Sequence, residues 1–108
     1  MEKNEFKKSE IFSFQDKVEY SSGGIVSKQV IKTEKGNVSL FAFDKGEGLS
    51  EHTAPFDAMV QLIEGKAKIT IGGVDYELSE GNTIIMPANI SHAVFAMEKF
   101  KMVLTMIR

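Results

Sequence analysis

The sequence predicts an all-β fold, a sandwich or barrel of short strands in a single domain. From residue 25 onwards, short apolar segments alternate with turns rich in glycine and polar residues. No segment shows the 3.6-residue periodicity of an amphipathic helix over ten residues. Gly72-Gly73 separates two apolar segments, as in a two-residue hairpin loop, where positive φ favours glycine. The chain of 108 residues is long enough to bury a hydrophobic core without cross-links.

The apolar segments and the turns between them place each strand in order. Residues 1–20 read as an N-terminal arm with a phenylalanine-rich cluster, which we expect to cover a sheet edge or to cross to a partner subunit. Residues 21–108 form the barrel domain. Pro87 ends the strand before it, because proline has no backbone N–H to donate. The predicted strands are Ile25–Thr33, Val38–Asp44, Ala58–Ile63, Lys66–Ile71, Val74–Leu78, Thr83–Met86, Ala93–Met97 and Phe100–Ile107.

The composition excludes several classes of function. The chain has no cysteine, which excludes a disulfide framework, a thiolate metal site and a cysteine nucleophile. The formal net charge is -2 and lysines are scattered among acids, so no basic face is available for nucleic acid. The N-terminus lacks the apolar core of a signal peptide, and no segment is long enough to span a bilayer. We therefore expect a cytoplasmic protein with neither a nucleic-acid nor a membrane partner.

Two blocks of the sequence have a characteristic spacing of glycine, histidine and proline. The first block has a glycine, five residues, a histidine and a later glycine: Gly46, His52 and Gly65. The second block has a glycine, five residues, a proline, four residues and a histidine: Gly81, Pro87 and His92. Together, over roughly residues 36–104, the blocks resemble the two motifs of the cupin superfamily, small β-barrels that often carry a metal. The resemblance implies an antiparallel jelly-roll barrel of six to eight strands.

The resemblance also indicates which parts of the usual metal site are missing. At the family's second histidine and glutamate positions this chain has Ala54 and Ala58. Only His52 and His92 match ligand positions, so a divalent zinc, iron, manganese or nickel ion would be weakly held. Gln61 is a weaker candidate for an oxygen ligand, because strand alternation turns it away from the pocket.

Strand alternation predicts which side chains share a pocket with the two histidines. If His52 faces inward, Ala54 does too, and Ala58 begins the inward face of the next predicted strand. The predicted lining is His52, His92, Ala54, Ala58, Val60, Leu62, Met86 and Val94. Such a pocket is apolar with few polar groups, as small-molecule sites tend to be.

The remaining residues of note are predicted to be structural. The six methionines are interpreted as core filler rather than as soft copper ligands. Asn82 and Asn89 are predicted to be turn residues that tolerate unusual φ, and Asn89 replaces a glycine of the second motif. The strand segments 38–43 and 102–107 are almost continuously apolar, which with the phenylalanine-rich arm predicts a twofold homodimer.

Three functional hypotheses are open. The first is a barrel that binds a small organic molecule over His52 and His92, with a weakly held divalent metal. If such a protein is an enzyme, isomerisation, epimerisation, decarboxylation or oxygenation suits the site, although no catalytic residue is predicted. The second is a metal-free ligand-binding or sensing barrel. The third is a structural barrel filled by its own side chains, Met86, Phe95 or Phe100.

Overall fold

The computed structural model describes residues 6–108, which form two antiparallel sheets packed face to face. The strands are β1 (Ile25–Thr33), β2 (Gly36–Phe43), β3 (Gly48–His52), β4 (Asp57–Glu64), β5 (Lys66–Ile71), β6 (Val74–Ser79), β7 (Thr83–Met86), β8 (His92–Ala96) and β9 (Phe100–Ile107). The larger sheet has the order β1-β2-β9-β4-β7 and the smaller one β3-β8-β5-β6. A single 3₁₀ turn at Phe14–Asp16 is the only helical segment within residues 6–108, so no described helix could cross a membrane.

The strand pairing is that of a jelly roll. Strand β2 pairs with β9, β3 with β8, β4 with β7 and β5 with β6, each antiparallel, so the pairs are nested around the β5–β6 hairpin. Strand β1 adds to the open edge of β2. The antiparallel jelly-roll prediction is confirmed. Because β1 is added, residues 6–108 contain nine strands, one more than the six to eight predicted. The two sheets have separate hydrogen-bond ladders, so the barrel has the form of a sandwich.

The eight predicted strands are all present, with ends that differ by at most two residues. The segment Gly48–His52 forms a further strand that was not among the predicted ones. Its only large apolar side chain is Leu49, and the other four residues are exposed, so the alternation that marks a strand is missing. It is nevertheless a strand, because it pairs along one edge with β8. The predicted Gly72-Gly73 hairpin is confirmed, with φ of 55° and 83°.

The core between the sheets holds the inward side chains of both. Its buried members are Phe43, Ala58, Val60, Leu62, Ala67, Ile69, Leu78, Met86, Val94, Ala96, Phe100 and Met102. The rings of Phe43 and Phe100 stack with centroids 4.5 Å apart. Phe43 is the cross-strand partner of Phe100 on β9. Three inward positions further along β9 is Met106, the cross-strand partner of Ala58. The stacked aromatic rings therefore occupy one end of the core, and Ala58 lies at the other.

The arm covers part of the outer face of the larger sheet. This second apolar cluster has as buried members Phe6, Val18, Val30, Leu40, Ala42 and Val103. The outward side chains of Leu40, Ala42 and Val103 thus have partners within the same chain, which removes these three as evidence for a subunit interface. The homodimer stays a prediction, as does the domain boundary at residue 20. Residues 1–5 of the predicted arm lie outside the described residues.

Polar contacts fix the arm to the sheet. The Tyr20 hydroxyl donates to a carboxylate oxygen of Glu64 at 2.5 Å. The buried Lys101 ammonium donates to the Gln15 carbonyl at 2.7 Å and lies 3.8 Å from the Glu64 carboxylate. Burial and the contact with Glu64 raise the pKa of Tyr20, which keeps its hydroxyl protonated as a donor.

Candidate functional site

Two strands that are distant in sequence bring the two histidines together. His52 ends β3 and His92 begins β8, and the two residues are cross-strand partners. Their ring centroids are 4.3 Å apart, with the rings edge to face at 70°. His92 is buried, whereas His52 is exposed. The pair therefore lies at the boundary between the core and solvent, and the proximity expected from the motif spacing is present.

A backbone carbonyl orients each imidazole. Nδ1 of His52 lies 2.8 Å from the carbonyl oxygen of Ser50, and Nδ1 of His92 lies 3.3 Å from that of Ile90. Because a carbonyl oxygen only accepts hydrogen bonds, each Nδ1 carries a proton and donates it. In the neutral rings both Nε2 atoms then have a free lone pair. This is the form in which imidazole binds a metal or accepts a proton.

The environment of His92 favours its neutral form. Burial lowers the pKa of His92 below its usual value of 6.5, and electrostatic repulsion from the neighbouring His52 lowers this pKa further. The hydrogen bond to the Ile90 carbonyl opposes both effects. The net result is a ring that is neutral at pH 7, with Nε2 available as a lone-pair donor.

Two hydrogen bonds hold the turn before β8 against the start of β4. The backbone N–H of Ala88 donates to the Asp57 carboxylate at 2.9 Å, and that of Asn89 donates to the Ala54 carbonyl at 2.8 Å. Asn89 has φ of 64°, as predicted for a turn residue that replaces a glycine. These contacts place the start of β4 at the same end of the barrel as His92. The carboxylate of Asp57, the acidic residue next to Ala58, is thus already hydrogen-bonded to a backbone N–H.

The inward face of β4 follows the predicted alternation. Ala58, Val60 and Leu62 are all at most 2% exposed and belong to the core between the sheets. Met86 on β7 and Val94 on β8 belong to the same core. Ala54 is half-buried in the connection between β3 and β4.

Gln61, the weaker metal-ligand candidate, lies on the opposite face of β4. It is exposed and pairs with Val103, which belongs to the cluster under the arm. The irregularity in the β4–β9 pairing comes after Leu62, so it does not turn Gln61 inward. Within residues 6–108 no group of three or more histidine, cysteine, aspartate or glutamate side chains could hold a metal ion.

The three side chains considered as barrel fillers have different positions. Met86 and Phe100 are buried in the core between the sheets. Phe95 is 43% exposed on the outer face of β8, where the Lys68 ammonium lies 5.6 Å from its ring centroid. Only the first two therefore fill the interior.

The sequence analysis missed Met106 as a residue of the barrel interior. Met106 is the cross-strand partner of Ala58 and packs against the core between the sheets. Its position depends on the register between β9 and β4, which no local sequence signal gives. The two-residue period of a strand does indicate, from the sequence alone, that Met106 shares a face with Met102 and Leu104.

Comparison with known proteins gives matches to one family and to solved structures. The family model described as the cupin domain matches residues 39–108. A conserved protein of unknown function from Streptococcus pyogenes is 32% identical, with TM-score 0.92, over 97% of this chain and 92% of its own. A cupin 2 conserved barrel domain protein from Leptotrichia buccalis is 37% identical, with TM-score 0.87, over 90% of this chain but only 47% of its own.

A more distant match supports the fold alone. A cupin superfamily protein from Desulfitobacterium hafniense is 24% identical, with TM-score 0.89, over 97% of this chain and 95% of its own. No curated protein matches the chain.

Proposed function

The chain belongs to the cupin family, and from this premise we propose that it binds a small organic molecule in the barrel, over His52 and His92. The observation that carries the proposal is the imidazole pair, with ring centroids 4.3 Å apart. Both Nδ1 atoms are engaged by backbone carbonyls, so both Nε2 atoms are free to contact a ligand. Few other polar groups accompany them, since the inward residues of β4 are Ala58, Val60 and Leu62.

The proposal includes a weakly held divalent metal on the same pair. Neutral imidazole nitrogens suit zinc, iron or nickel, whereas manganese would depend more on oxygen atoms of water or ligand. Stable sites for these metals normally have three or more protein ligands, and neither Ala54 nor Ala58 supplies one. An ion on two histidines would keep two or more positions for water or for ligand oxygen atoms, and would bind with low affinity.

The chemistry that suits this site is proton transfer on a small molecule. A neutral His92, with its pKa lowered by burial, accepts a proton through Nε2 near neutral pH. A bound metal would polarise a carbonyl oxygen of the ligand. If the domain is an enzyme, isomerisation, epimerisation, decarboxylation or oxygenation fits these groups. Without turnover, the same groups form a binding site.

The test is metal and ligand analysis of protein purified without a histidine tag. Elemental analysis and native mass spectrometry identify bound metal and co-purifying small molecules, and calorimetry measures zinc and manganese binding. We expect weak binding that His52→Ala and His92→Gln abolish. Glu51→Gln, beside His52 on β3, is the matched control and should bind as the parent does. Metal binding that is unchanged in both histidine variants would overturn the metal part of the proposal.

The alternative is a metal-free ligand-binding or sensing barrel. It is favoured by Ala58, which is buried where a carboxylate ligand would be needed. The two proposals separate after treatment with a chelator. A co-purifying molecule that remains bound to the metal-free protein, but not to His92→Gln, supports the alternative.

We also propose a homodimer that uses the part of the larger sheet's outer face beyond the arm cluster. There Ile31, Ile85 and Ile107 are 59%, 62% and 61% exposed. Exposed apolar surface of this kind favours association with a second copy. Light scattering that gives a monomer at micromolar concentration would contradict this proposal.

A further inference from the structure

We propose that the histidine end of the barrel is a copper(I) site, completed by the thioethers of Met86 and Met106. The inference rests on the histidine pair of the proposed function and adds two donors and a metal preference to it. It reverses the sequence-based interpretation of these two methionines as core filler.

The two methionines flank the position where the usual carboxylate is absent. Ala58 is the cross-strand partner of Met86 on one side and of Met106 on the other. Such partners have Cβ atoms about 4.5–5.5 Å apart on the same face of a sheet. Both flexible side chains therefore start beside the space that alanine leaves free. Met86 is 3% exposed and Met106 packs against the same core.

The methionines and the histidines lie at the same end of the barrel, on facing sheets. The hydrogen bonds from Ala88 to Asp57 and from Asn89 to Ala54 hold the start of β4 next to the turn that leads into His92. Facing sheets are about 10 Å apart. Histidine side chains from the smaller sheet and methionine side chains from the larger sheet are together long enough to meet across this distance. We therefore infer that the four donors border one volume at this end of the barrel.

The charge and softness of these donors select the metal. Thioether sulfur and neutral imidazole suit copper(I), whereas harder divalent ions prefer oxygen ligands. None of the four donors carries a negative charge, and the Asp57 carboxylate already accepts a backbone N–H. Burying an uncompensated doubly charged ion in an apolar pocket costs far more than burying a singly charged one. A neutral donor set in this core therefore favours the monovalent metal.

Two other methionines serve as controls because their positions differ. Met59 is next to Ala58 on β4 but lies on the outer face, paired with Ile85 and Thr105. Met102 is inward but pairs with Leu62 and Phe41, deeper in the barrel. The proposal therefore predicts that substitution at these two positions leaves copper binding unchanged.

The experiment is an anaerobic competition titration of copper(I) against a colorimetric copper(I) chelator. The parent is compared with Met86→Leu/Met106→Leu and with Met59→Leu, since leucine conserves side-chain volume. We expect the double variant to lose affinity for copper(I) by at least about tenfold, the lower end of what even outer partners of a metal site contribute. Met59→Leu and Met102→Leu should match the parent. X-ray absorption of the copper-loaded parent should show sulfur scatterers that the double variant lacks.

The outcomes separate this inference from the proposed function. If the double variant binds copper(I) as the parent does, the thioethers are not ligands and the inference is wrong. Zinc binding that still depends on His52 and His92 would in that case leave the proposed function standing. Thermal melts check folding, and the single variant Met106→Leu, at a half-buried position, replaces the double variant if the latter does not fold. Copper(I) affinity no higher than that for zinc in the parent would also overturn the inference.

Discussion

The two ends of the barrel interior have the same pair of sheets but opposite side chains. At one end Phe43 and Phe100 are fully buried and their rings stack. At the other end Ala58 takes little space and the imidazoles of His52 and His92 meet near the surface. The same two sheets continue between the ends, and what changes is the chemistry of the inward residues, from stacked aromatic rings to an imidazole pair. The difference indicates that stability depends mainly on the aromatic end and that binding is available at the histidine end.

The largest expected effect is loss of stability at the aromatic end. Phe100→Ala should lower the free energy of unfolding by about 3–5 kcal/mol, because it removes a buried ring and leaves a cavity beside Phe43. Urea denaturation measures the change. At the histidine end His52→Ala, an exposed position, should change stability by about 0.5 kcal/mol or less. Equal losses for the two variants would contradict the division between the ends.

The next effect concerns metal affinity at the histidine end. Restoring the missing ligands with Ala54→His and Ala58→Glu should tighten zinc or manganese binding by about a hundredfold or more, at least tenfold for each ligand. This corresponds to roughly 2.7 kcal/mol of binding free energy. Calorimetric titration of variant and parent measures it, with Ala93→Glu on the outer face of β8 as control. If the folded variant binds no better than the parent, the two alanines do not face the site.

A smaller effect is a pH dependence that belongs to the histidine end. The pKa of His92 is lower in the folded protein than its usual 6.5, so the unfolded chain takes up the proton more readily. His92 therefore contributes stability above pH 6.5, which is lost as pH falls through the folded pKa. Metal-free protein should be less stable at pH 5.5 than at pH 7.5 in urea denaturation. In His92→Gln this decrease should be smaller, and an unchanged decrease would assign it to other groups.

The smallest effect is expected in the turn that positions His92. Asn89 has φ of 64°, which both asparagine and glycine tolerate, so Asn89→Gly should change stability by about 0.5 kcal/mol or less. Asn89→Ala should cost about 1 kcal/mol, because alanine keeps the Cβ that crowds the left-handed region and lacks the polar side chain whose local hydrogen bonds let asparagine adopt it. Thermal unfolding compares the two variants. A loss with glycine as large as with alanine would show that the asparagine side chain, not the backbone angle, matters here.

Features that depend on local pattern could be predicted from the sequence. Eight strands followed from apolar segments and turns, and the Gly72-Gly73 hairpin followed from the φ that its residues need. The alternation on β4 placed Val60 and Leu62 inside and Gln61 outside. The motif spacing brought His52 and His92 into one site because it reflects a shared fold rather than a local preference.

Features that depend on pairing between distant segments could not be predicted. Strand β3 has almost no apolar signal of its own and exists because β8 offers a paired edge. The apolar outer side chains of β2, such as Leu40, suggested a subunit interface, whereas the arm covers them. The position of Met106 beside Ala58 needs the β4–β9 register, which strand alternation alone leaves open.

The attachment of the arm to the larger sheet has a consequence for how the molecule unfolds. Detaching residues 6–20 would expose Leu40 and Val103 and would leave the Lys101 ammonium without its acceptor, the Gln15 carbonyl. Exposing this apolar surface and losing this hydrogen bond are both costly. The arm and barrel should therefore unfold in one cooperative transition, and the smallest independently folding unit is larger than the jelly roll alone.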